Sequence, residues 1–462
     1  MRSRRHFLTT ALGLLASVGR TQSGPARISL RVGAARRKVT PPLHIPYLSS
    51  SGRGTYAPFE GVHDDLWARA VVFDDGRTCI AVLAVDSIGY ANEILPNAAG
   101  FTATLRRRVA SRTGIAPHAL MLAATHAHST PETIGLTDAM SDPAAQRWLT
   151  EHLADLESVV VQAWRSRRPA ELRFAKTFVR GIARNRRILL KGGTLNRHGP
   201  IPPRSRWARD VPVDEELSVV LAEDQTGKPI AVLLNYTAHP VVTMLLPSVS
   251  ADYCGACCAA VETAFPGATC LFLQGAAGDV NSIYVSTSFE DAVRLGRRLA
   301  EGAFDLIRGG MRPVNRPMVR CNAAEVKLKP RSCPSPEDLL KNRDRYPAAR
   351  FDRLLRLARK IARGLTVAEV QAMAVGQVRW VALPGEPFVE TGLRIKQAGA
   401  SFVVGYANGY LGYLPVRRAY EEGGYEVAEG PWSFVAPGSA EQLEQEARRV
   451  LSRCRSPHAS PR

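Results

Sequence analysis

The segment LMLAATHAHS, residues 120–129, joins an apolar run to a polar end, and three other segments repeat this arrangement. They are VLLNYTAHP at 232–240, LFLQGAAGDVNS at 271–282 and WVALPGEPF at 380–388. Each begins with residues typical of a buried strand and ends with polar residues where a turn is expected. Polar groups at strand ends are where α/β proteins usually form their sites. The four segments therefore predict one shared cleft.

Strands and helices mix along the rest of the chain. Residues 69–89 predict two strands around a DDGR turn, and residues 218–240 predict a second hairpin. Helices are predicted over residues 97–113, from Thr130 and Pro131 onward, and over 143–166, 252–264, 287–308 and 439–454. Residues 335–374 predict one or two basic helices. We expect an α/β fold with layered mixed β-sheets flanked by helices, in a single large domain over residues 28–462, with 335–374 as a helical insertion.

Composition limits the functional classes. Hydrophobic residues make up 45% and charged residues 22%, which excludes wholesale disorder, collagen and coiled coil. No apolar run reaches the roughly 18 residues of a membrane span, which excludes a polytopic membrane protein. The net charge is +19, and 52 of the 61 basic residues are arginine, scattered along the chain. We expect no nucleic-acid partner, because no motif of that class accompanies the charge. The positive charge instead favours peripheral contact with an anionic membrane surface as the partner.

The N-terminus predicts export. MRSRRHFLTTALGLLASVG combines a basic start, the pair Arg4 and Arg5 and a short apolar stretch, which is typical of a twin-arginine signal. We place the signal over residues 1–27 and expect a periplasmic or secreted protein, with a retained anchor as the alternative. Three of the eight cysteines, Cys254, Cys257 and Cys258, fall at helical spacing. Buried thiols on a helix are the favoured interpretation, and a metal site is the alternative.

The polar strand ends carry the candidate site residues. His126 and His128 lie two residues apart, so on an extended backbone their side chains project to the same side. That spacing suits a metal ligand beside a base or a supporting partner. His239 precedes a proline, which favours an extended backbone, and Glu386 lies at a predicted helix start. Weaker candidates, for which turn formation or core packing is the alternative, are Asp279, Tyr413, Tyr425, His63 and Asp86.

Together these residue types predict metal chemistry. Two histidines, a carboxylate and a phenolate can bind zinc and leave a position for water or substrate. Zinc polarises a carbonyl and lowers the pKa of water, and a neighbouring histidine or aspartate can act as base. An arginine or a tyrosine can then stabilise the negative charge that develops on a carbonyl oxygen.

An ordered set of motifs resembles the catalytic domain of the neutral/alkaline ceramidase family. The motifs are THAHS, NYTAHP, SADY, LQGAAGDVN, LPGEPF, NGYLGYLP and GGYE, within residues 31 to about 428. Enzymes of that family are zinc amidases that release a fatty acid from an N-acyl sphingoid base. The resemblance implies four zinc ligands, namely His126, His239, Glu386 and Tyr413. It also implies that Tyr425 lines the site and that Arg186 is the family's arginine, with Arg184 and Arg187 as alternatives.

The chain departs from the family pattern in one motif of the site. The family's GDVS reads GDVN here, so Asn281 stands in place of a serine that contacts substrate. Asparagine can donate a hydrogen bond to a carbonyl but is not a nucleophile. We also expect no counterpart of the family's immunoglobulin-like C-terminal domain within these 462 residues. We therefore expect the substrate to be either ceramide or another linear N-acyl amide.

The leading hypothesis is an exported zinc hydrolase of linear amides. His128 or Asp279 serves as base and then as proton donor, while Arg186, Asn281 and Tyr425 orient the substrate or stabilise charge. One alternative is hydrolysis of another amide or an ester at the same site. Another is an envelope protein that contains zinc and binds lipid or glycan without turnover. The third alternative is an arginine-rich protein that binds nucleic acid, and it predicts that binding weakens steeply as the salt concentration rises.

Overall fold

The computed structural model describes residues 29–48, 56–95, 99–196 and 200–454. The predicted export signal over residues 1–27 lies outside these residues. The α-helices are α1 (Phe101–Thr113), α2 (Pro143–Arg165), α3 (Asp252–Ala264), α4 (Phe289–Arg308), α5 (Pro336–Lys341), α6 (Ala348–Ala362), α7 (Val389–Gln397), α8 (Arg417–Glu422) and α9 (Ser439–Arg453). The strands are β1 (Arg31–Lys38), β2 (Pro46–Leu48), β3 (Tyr56–Pro58), β4 (Gly61–Val62), β5 (Trp67–Asp74), β6 (Cys79–Val85), β7 (Leu120–Ala124), β8 (Arg168–Phe178), β9 (Ala183–Asn185), β10 (Ile188–Leu189), β11 (Leu195–Asn196), β12 (Glu216–Asp224), β13 (Pro229–Tyr236), β14 (Ser248–Val249), β15 (Thr269–Gln274), β16 (Val280–Ser282), β17 (Arg312–Pro313), β18 (Val319–Lys327), β19 (Val367–Val375), β20 (Val378–Ala382), β21 (Glu386–Pro387), β22 (Phe402–Val404) and β23 (Tyr413–Leu414).

Two mixed sheets form the centre of the fold. The larger runs in the order β15-β13-β12-β8-β1-β5-β6-β7, with β17 beside β8, and the smaller runs β18-β19-β20-β22. Strands β13 and β15, β6 and β7, and β20 and β22 pair in parallel, while the other pairs of these two sheets are antiparallel. The larger sheet folds over itself, because β15 contacts β5, β6 and β7.

Helices cover the outer faces of the sheets. Helix α2 packs on β1 and β5, helices α3 and α4 pack on the half of the large sheet that contains β12 and β15, and α9 packs on β18, β19 and β20. Aromatic side chains join the two sheets, since Phe73 of β5 meets Trp380 of β20 with ring centroids 6.5 Å apart. The expected α/β fold with layered mixed sheets flanked by helices is confirmed.

The apolar runs of the sequence form the buried strands. All five residues of β7 are buried, as are six consecutive residues of β12, seven of β13 and all of β15. The continuous apolar runs therefore predicted these four strands. Among the described residues, no helix combines the length and the apolar character that crossing a membrane requires.

Two local predictions of helix were wrong. Thr130 and Pro131 do not begin a helix; α2 begins at Pro143, where Asp142 caps it by accepting hydrogen bonds from two backbone amides. In the segment 335–374, α5 and α6 are helical as expected, but β19 occupies its last part. The sequence of β19, VAEVQAMAV, contains several good helix formers, yet pairing with β18 and β20 on both sides makes it a strand.

Candidate metal centre and active site

Strand ends from both sheets meet at one place. The loops that follow β7, β15, β20 and β22 are joined by backbone hydrogen bonds. The amide of Ala124 donates to the carbonyl of Tyr406 (3.1 Å), that of Gly405 to Gln274 (2.9 Å) and that of Tyr406 to Gly385 (2.9 Å). The polar segments predicted to share a cleft are therefore adjacent in space.

Two imidazoles and a carboxylate form the centre of this region. His126 follows β7, His239 follows β13, and their Nε2 atoms lie 3.0 Å apart. Oε2 of Glu386, which follows β20, lies 3.4 Å from the first of these nitrogens and 3.2 Å from the second. All three residues are at most 2% exposed. The structure thus brings together three of the four residues predicted as metal ligands.

The hydrogen bonds of these residues show that they fit a metal ion. Nδ1 of His126 lies 2.6 Å from the carbonyl of Ile88, and Nδ1 of His239 lies 2.7 Å from that of Ala277, so each Nδ1 carries the proton. Both Nε2 atoms consequently present lone pairs, and Oε2 of Glu386 has no hydrogen-bond partner within the described residues. Three electron-pair donors converge with no proton between them, an arrangement that a divalent cation stabilises.

The electrostatic surroundings favour the protonation states that ligands need. Burial lowers the pKa of His239 to about 4, and the positive charge of Arg186 acts in the same direction. Burial alone raises the pKa of Glu386, but positive charge at the two imidazole positions outweighs burial and holds that pKa well below its usual range, an effect that a cation bound between the neutral imidazoles would supply. His239 is therefore neutral and Glu386 ionised near neutral pH.

The backbone at His126 differs from the prediction. We expected an extended conformation, but its φ angle is +67°, in the left-handed region that few residues other than glycine adopt. The amide of His126 donates to the carbonyl of Ser87 (2.8 Å), and its ring stacks on Tyr406 at a centroid distance of 4.1 Å. These contacts and the bond of its Nδ1 hold the strained conformation, which turns the ring into the site.

His128 remains close to the centre despite this turn. Its ring centroid lies 4.9 Å from that of His126 and 5.6 Å from that of His239. The three histidines could themselves hold a metal, since one nitrogen of each lies within 4.8 Å of the others. The carboxylate of Glu386 is closer to His126 and His239, so we favour it as the third ligand.

His128 then stands beside the centre as an imidazole with an unused nitrogen. Its Nε2 is buried and has no hydrogen-bond partner among the described residues. Burial, followed by the neighbouring His126 and His239, lowers the pKa of His128 well below its usual value. A neutral imidazole in this position suits a general base.

Tyr413, the fourth predicted ligand, is aligned with Glu386 by backbone pairing. The short strands β21 and β23 pair in parallel, with Glu386 opposite Tyr413. The Tyr413 hydroxyl accepts a hydrogen bond of 2.9 Å from Nη2 of Arg186. Burial raises the pKa of Tyr413 well above its usual value, although Arg186 opposes that effect. Its role as a metal ligand stays a prediction.

Arg186 is the arginine of the ARNRR segment that reaches the site. Besides Tyr413, its guanidinium donates to Oε1 of Glu426 (2.9 Å), to Oδ1 of Asn281 (2.9 Å) and to the carbonyl of Gly278 (2.7 Å). The neighbouring Arg187 instead binds the other oxygen of Glu426 at 2.7 Å. Four hydrogen bonds therefore fix Arg186 to its protein neighbours.

Asp279 lies on the glycine turn after β15, and Asn281 lies in the short strand β16 that follows it. Oδ1 of Asp279 accepts a hydrogen bond of 2.7 Å from the amide of Val389, and Oδ2 accepts one of 3.2 Å from Nδ2 of Asn185. Burial raises the pKa of Asp279 to about 6. Because both oxygens hold protein groups, the geometry favours His128 over Asp279 as the base.

Tyr425 lies at the edge of the site. Its ring meets that of Tyr413 edge-on, with centroids 5.7 Å apart, and stacks on Trp432 at 4.9 Å. The other weaker candidates have structural partners, since Asp86 pairs with Arg69 at 2.8 Å and His63 stacks on Phe289 at 3.8 Å. Within the described residues, neither Asp86 nor His63 forms a hydrogen bond, an ion pair or a ring contact with His126, His239 or Glu386.

Three residues of the site escaped the sequence analysis. Tyr406 stacks on His126, Tyr410 donates a hydrogen bond of 2.5 Å to Oε1 of Glu386, and the fully buried Glu426 binds two arginines. Both tyrosines lie in YANGYLGY, which contains three tyrosines, and the sequence offered no signal that distinguishes Tyr406 and Tyr410 from Tyr413 as site residues. Glu426 follows Tyr425 directly in GGYE, and that adjacency was the available signal.

The predicted buried thiols are found on α3. Cys254, Cys257 and Cys258 are buried and unpaired, as is Cys270 on β15. They pack with apolar side chains of α4 and the sheet. The interpretation as core thiols fits these contacts better than a second metal site.

Solved structures share this fold. The neutral ceramidase from Pseudomonas aeruginosa matches with a TM-score of 0.71 and 18% identity, over 94% of this chain and 76% of that one. A ceramidase complexed with C2 matches with a TM-score of 0.72 and 18% identity, over 94% and 77% of the two chains. No protein-family model and no curated protein sequence matches the chain. The resemblance to neutral ceramidases is thus confirmed at the level of the fold.

Proposed function

We propose that this protein is an exported, zinc-dependent hydrolase of linear N-acyl amides. One observation carries the proposal: the Nε2 atoms of His126 and His239 and Oε2 of Glu386 converge within 3.4 Å of one another, with no proton to share. The shared fold with ceramidases supports an amide as the bond that is cleaved. The basic, twin-arginine start of the sequence supports export to the periplasm or beyond.

The site would combine a zinc ion with a general base. Zinc held by His126, His239, Glu386 and Tyr413 would supply Lewis acidity toward the amide carbonyl and toward water. His128 would take a proton from the attacking water and deliver it to the leaving amine, because its Nε2 is unused and its imidazole is neutral.

The remaining groups would hold and orient the reacting parts. Arg186 keeps the hydroxyl of Tyr413 and the side chain of Asn281 in fixed positions. Asn281 presents its carboxamide oxygen to Arg186, which leaves its NH2 group to donate to a carbonyl oxygen of the substrate. Tyr425 would contact the substrate at the mouth of the site.

The first experiment measures the metal content of the purified protein and fatty acid release from an N-acyl sphingosine. We expect about one zinc per chain and release of the fatty acid. His126→Ala should lose the metal and lower kcat/KM at least a thousandfold, since removing catalytic groups has effects on that scale. The exposed His118 offers a matched control, and His118→Ala should retain the zinc content and the kcat/KM of the wild-type protein. A His126→Ala protein with full zinc and full activity would overturn the assignment.

A second candidate function is a zinc-containing envelope protein that binds lipid or glycan without turnover. The observation that favours it is Asn281, which stands where the resembling enzymes carry a substrate-contacting serine and is tied to Arg186. This candidate predicts full zinc content with no hydrolysis across a panel of N-acyl amides and esters. Release of product from any member of the panel would exclude it.

A further inference from the structure

A groove lies beside Tyr425, and Tyr413 is not among the residues that line it. Its volume is about 580 Å3, within the range of roughly 300–1,000 Å3 typical of ligand pockets. Tyr425, Trp432 and Glu429 line one part of it, and Arg350 and Arg353 of α6 line another. The groove therefore brings α6, from the segment predicted as an insertion, to the edge of the candidate active site.

The apolar wall of the groove is fixed to the metal centre through the backbone. The rings of Tyr425 and Trp432 stack at 20°, and the indole Nε1 of Trp432 donates to the carbonyl of Tyr425 at 2.9 Å. The carbonyl of Trp432 in turn accepts a hydrogen bond of 2.8 Å from the amide of Tyr413. A ligand on this wall would consequently lie one aromatic ring away from the predicted metal ligand Tyr413.

The other side of the groove carries excess positive charge. Arg350 pairs with Glu429 at 3.0 Å, which neutralises one charge of each sign. Arg353 lies three residues further along α6 and so on the same face of the helix. It is exposed and forms no ion pair within the part of the chain that the structure describes. The groove thus combines a rigid aromatic surface with one guanidinium that lacks an anionic partner.

We propose that this groove selects amide substrates that carry a negatively charged group, a carboxylate or a sulfonate, placed against Arg353. The proposal rests on the proposed amidase function and names its substrate class. The apolar part of such a substrate would cover Tyr425 and Trp432, while its anion would form a charge-assisted hydrogen bond with the guanidinium. An uncharged N-acyl sphingoid base would leave Arg353 without an anionic partner.

The reaction itself would leave the charged group unchanged. Water adds its oxygen to the acyl carbon, the carbon–nitrogen bond breaks, and one proton of the water passes to the leaving nitrogen. The products are a carboxylic acid and an amine, and the selecting anion stays on whichever of the two carried it. The structure allows the anion to belong to either side of the amide, so the test includes both.

The test compares matched charged and uncharged substrates. N-dodecanoylglycine against N-dodecanoylglycinamide places the charge on the amine side, and N-dodecylsuccinamate against N-dodecylbutanamide places it on the acyl side. We expect kcat/KM for at least one charged amide to exceed that of its neutral partner about tenfold, mainly through KM, as one charge-assisted hydrogen bond allows. Arg353→Gln should bring that ratio near one.

The matched control is Arg359→Gln, which removes the same charge from an exposed position of α6 outside the groove. It should keep the preference of the wild-type protein. The proposal is overturned if the wild-type protein prefers neither charged amide. It is also overturned if Arg353→Gln keeps the preference, or if Arg359→Gln loses as much of it.

A binding measurement separates this proposal from the amidase function. Calorimetry with N-dodecanoylglycine and N-dodecylsuccinamate on metal-depleted protein should show binding that weakens about tenfold in Arg353→Gln. If the protein binds these amides in this way but hydrolyses none of them, the anion-binding role of the groove stands and the proposed amidase function is wrong. If the protein hydrolyses charged and neutral amides equally well and Arg353→Gln does not change binding, the amidase function stands and the anion-binding role of the groove is wrong.

Discussion

At the scale of the residue, a hydrogen bond orients the carboxylate of Glu386 for metal binding. One carboxylate oxygen, Oε1, accepts a hydrogen bond of 2.5 Å from the hydroxyl of Tyr410, while Oε2 faces the two histidine nitrogens without a hydrogen bond. The phenol thereby limits Glu386 to one oxygen for coordination and fixes its orientation. Groups that hold ligands in this way generally contribute strongly to metal affinity.

Tyr410→Phe should therefore weaken zinc binding by about 10- to 100-fold, the range found when a partner of a metal ligand is lost. Competition with a chromophoric chelator measures the dissociation constant directly. Tyr420→Phe is the control, because it also removes a hydroxyl hydrogen bond, but one to the carbonyl of Val435 and not to a predicted metal ligand. Equal zinc affinity in Tyr410→Phe and Tyr420→Phe would contradict this role.

At the scale of the element, α2 carries a buried histidine that links stability to pH. His152 lies on the face of α2 directed to the core, stacked on Trp148 and 2.7 Å from the hydroxyl of Tyr90 through its Nε2. Burial lowers the pKa of His152 from 6.5 to about 4. The helix therefore packs with a neutral imidazole that the unfolded chain would protonate more readily.

Between pH 6.5 and 4 the unfolded state binds more protons at His152 than the folded state does. The free energy of unfolding should therefore fall as the pH drops through this window, by about 3 kcal/mol from this residue alone. His152→Gln should show a shallower pH dependence than the wild type in chemical denaturation of metal-depleted protein. His118→Gln, at an exposed histidine, should keep the wild-type slope. A slope in His152→Gln equal to that of the wild type would refute the assignment.

At the scale of the whole molecule, positive charge dominates the chain. The net charge is +19 and the isoelectric point is about 10.0. Many arginines of the described residues form ion pairs within the protein, including those from Arg69 to Asp86 and from Arg394 to Glu444. The surplus is what would attract an anionic surface such as a membrane that holds the proposed substrate.

The purified protein should consequently sediment with phosphatidylglycerol vesicles and not with phosphatidylcholine vesicles at low ionic strength. Addition of 1 M salt should release it, because the Debye length then shortens to about 3 Å and screens long-range attraction. Binding that persists in 1 M salt, or that is equal for both vesicle types, would show that charge is not the cause.

The sequence by itself determined six buried strands of the large sheet and the polar residues that follow strands. Apolar runs and turn residues are local signals, so β5, β6, β7, β12, β13 and β15, the helix α9, and the polar segments around His126, His239 and Glu386 could be predicted from neighbouring residues alone. The tertiary structure decided the contacts between distant segments. Only packing placed Tyr410 on Glu386 and Glu426 on Arg186 and turned His126 into the left-handed region. Strand pairing likewise overrode the helix formers of β19. The physical reason is that hydrophobic periodicity is set within a few residues, whereas a buried hydrogen bond depends on which segments the folded chain brings together.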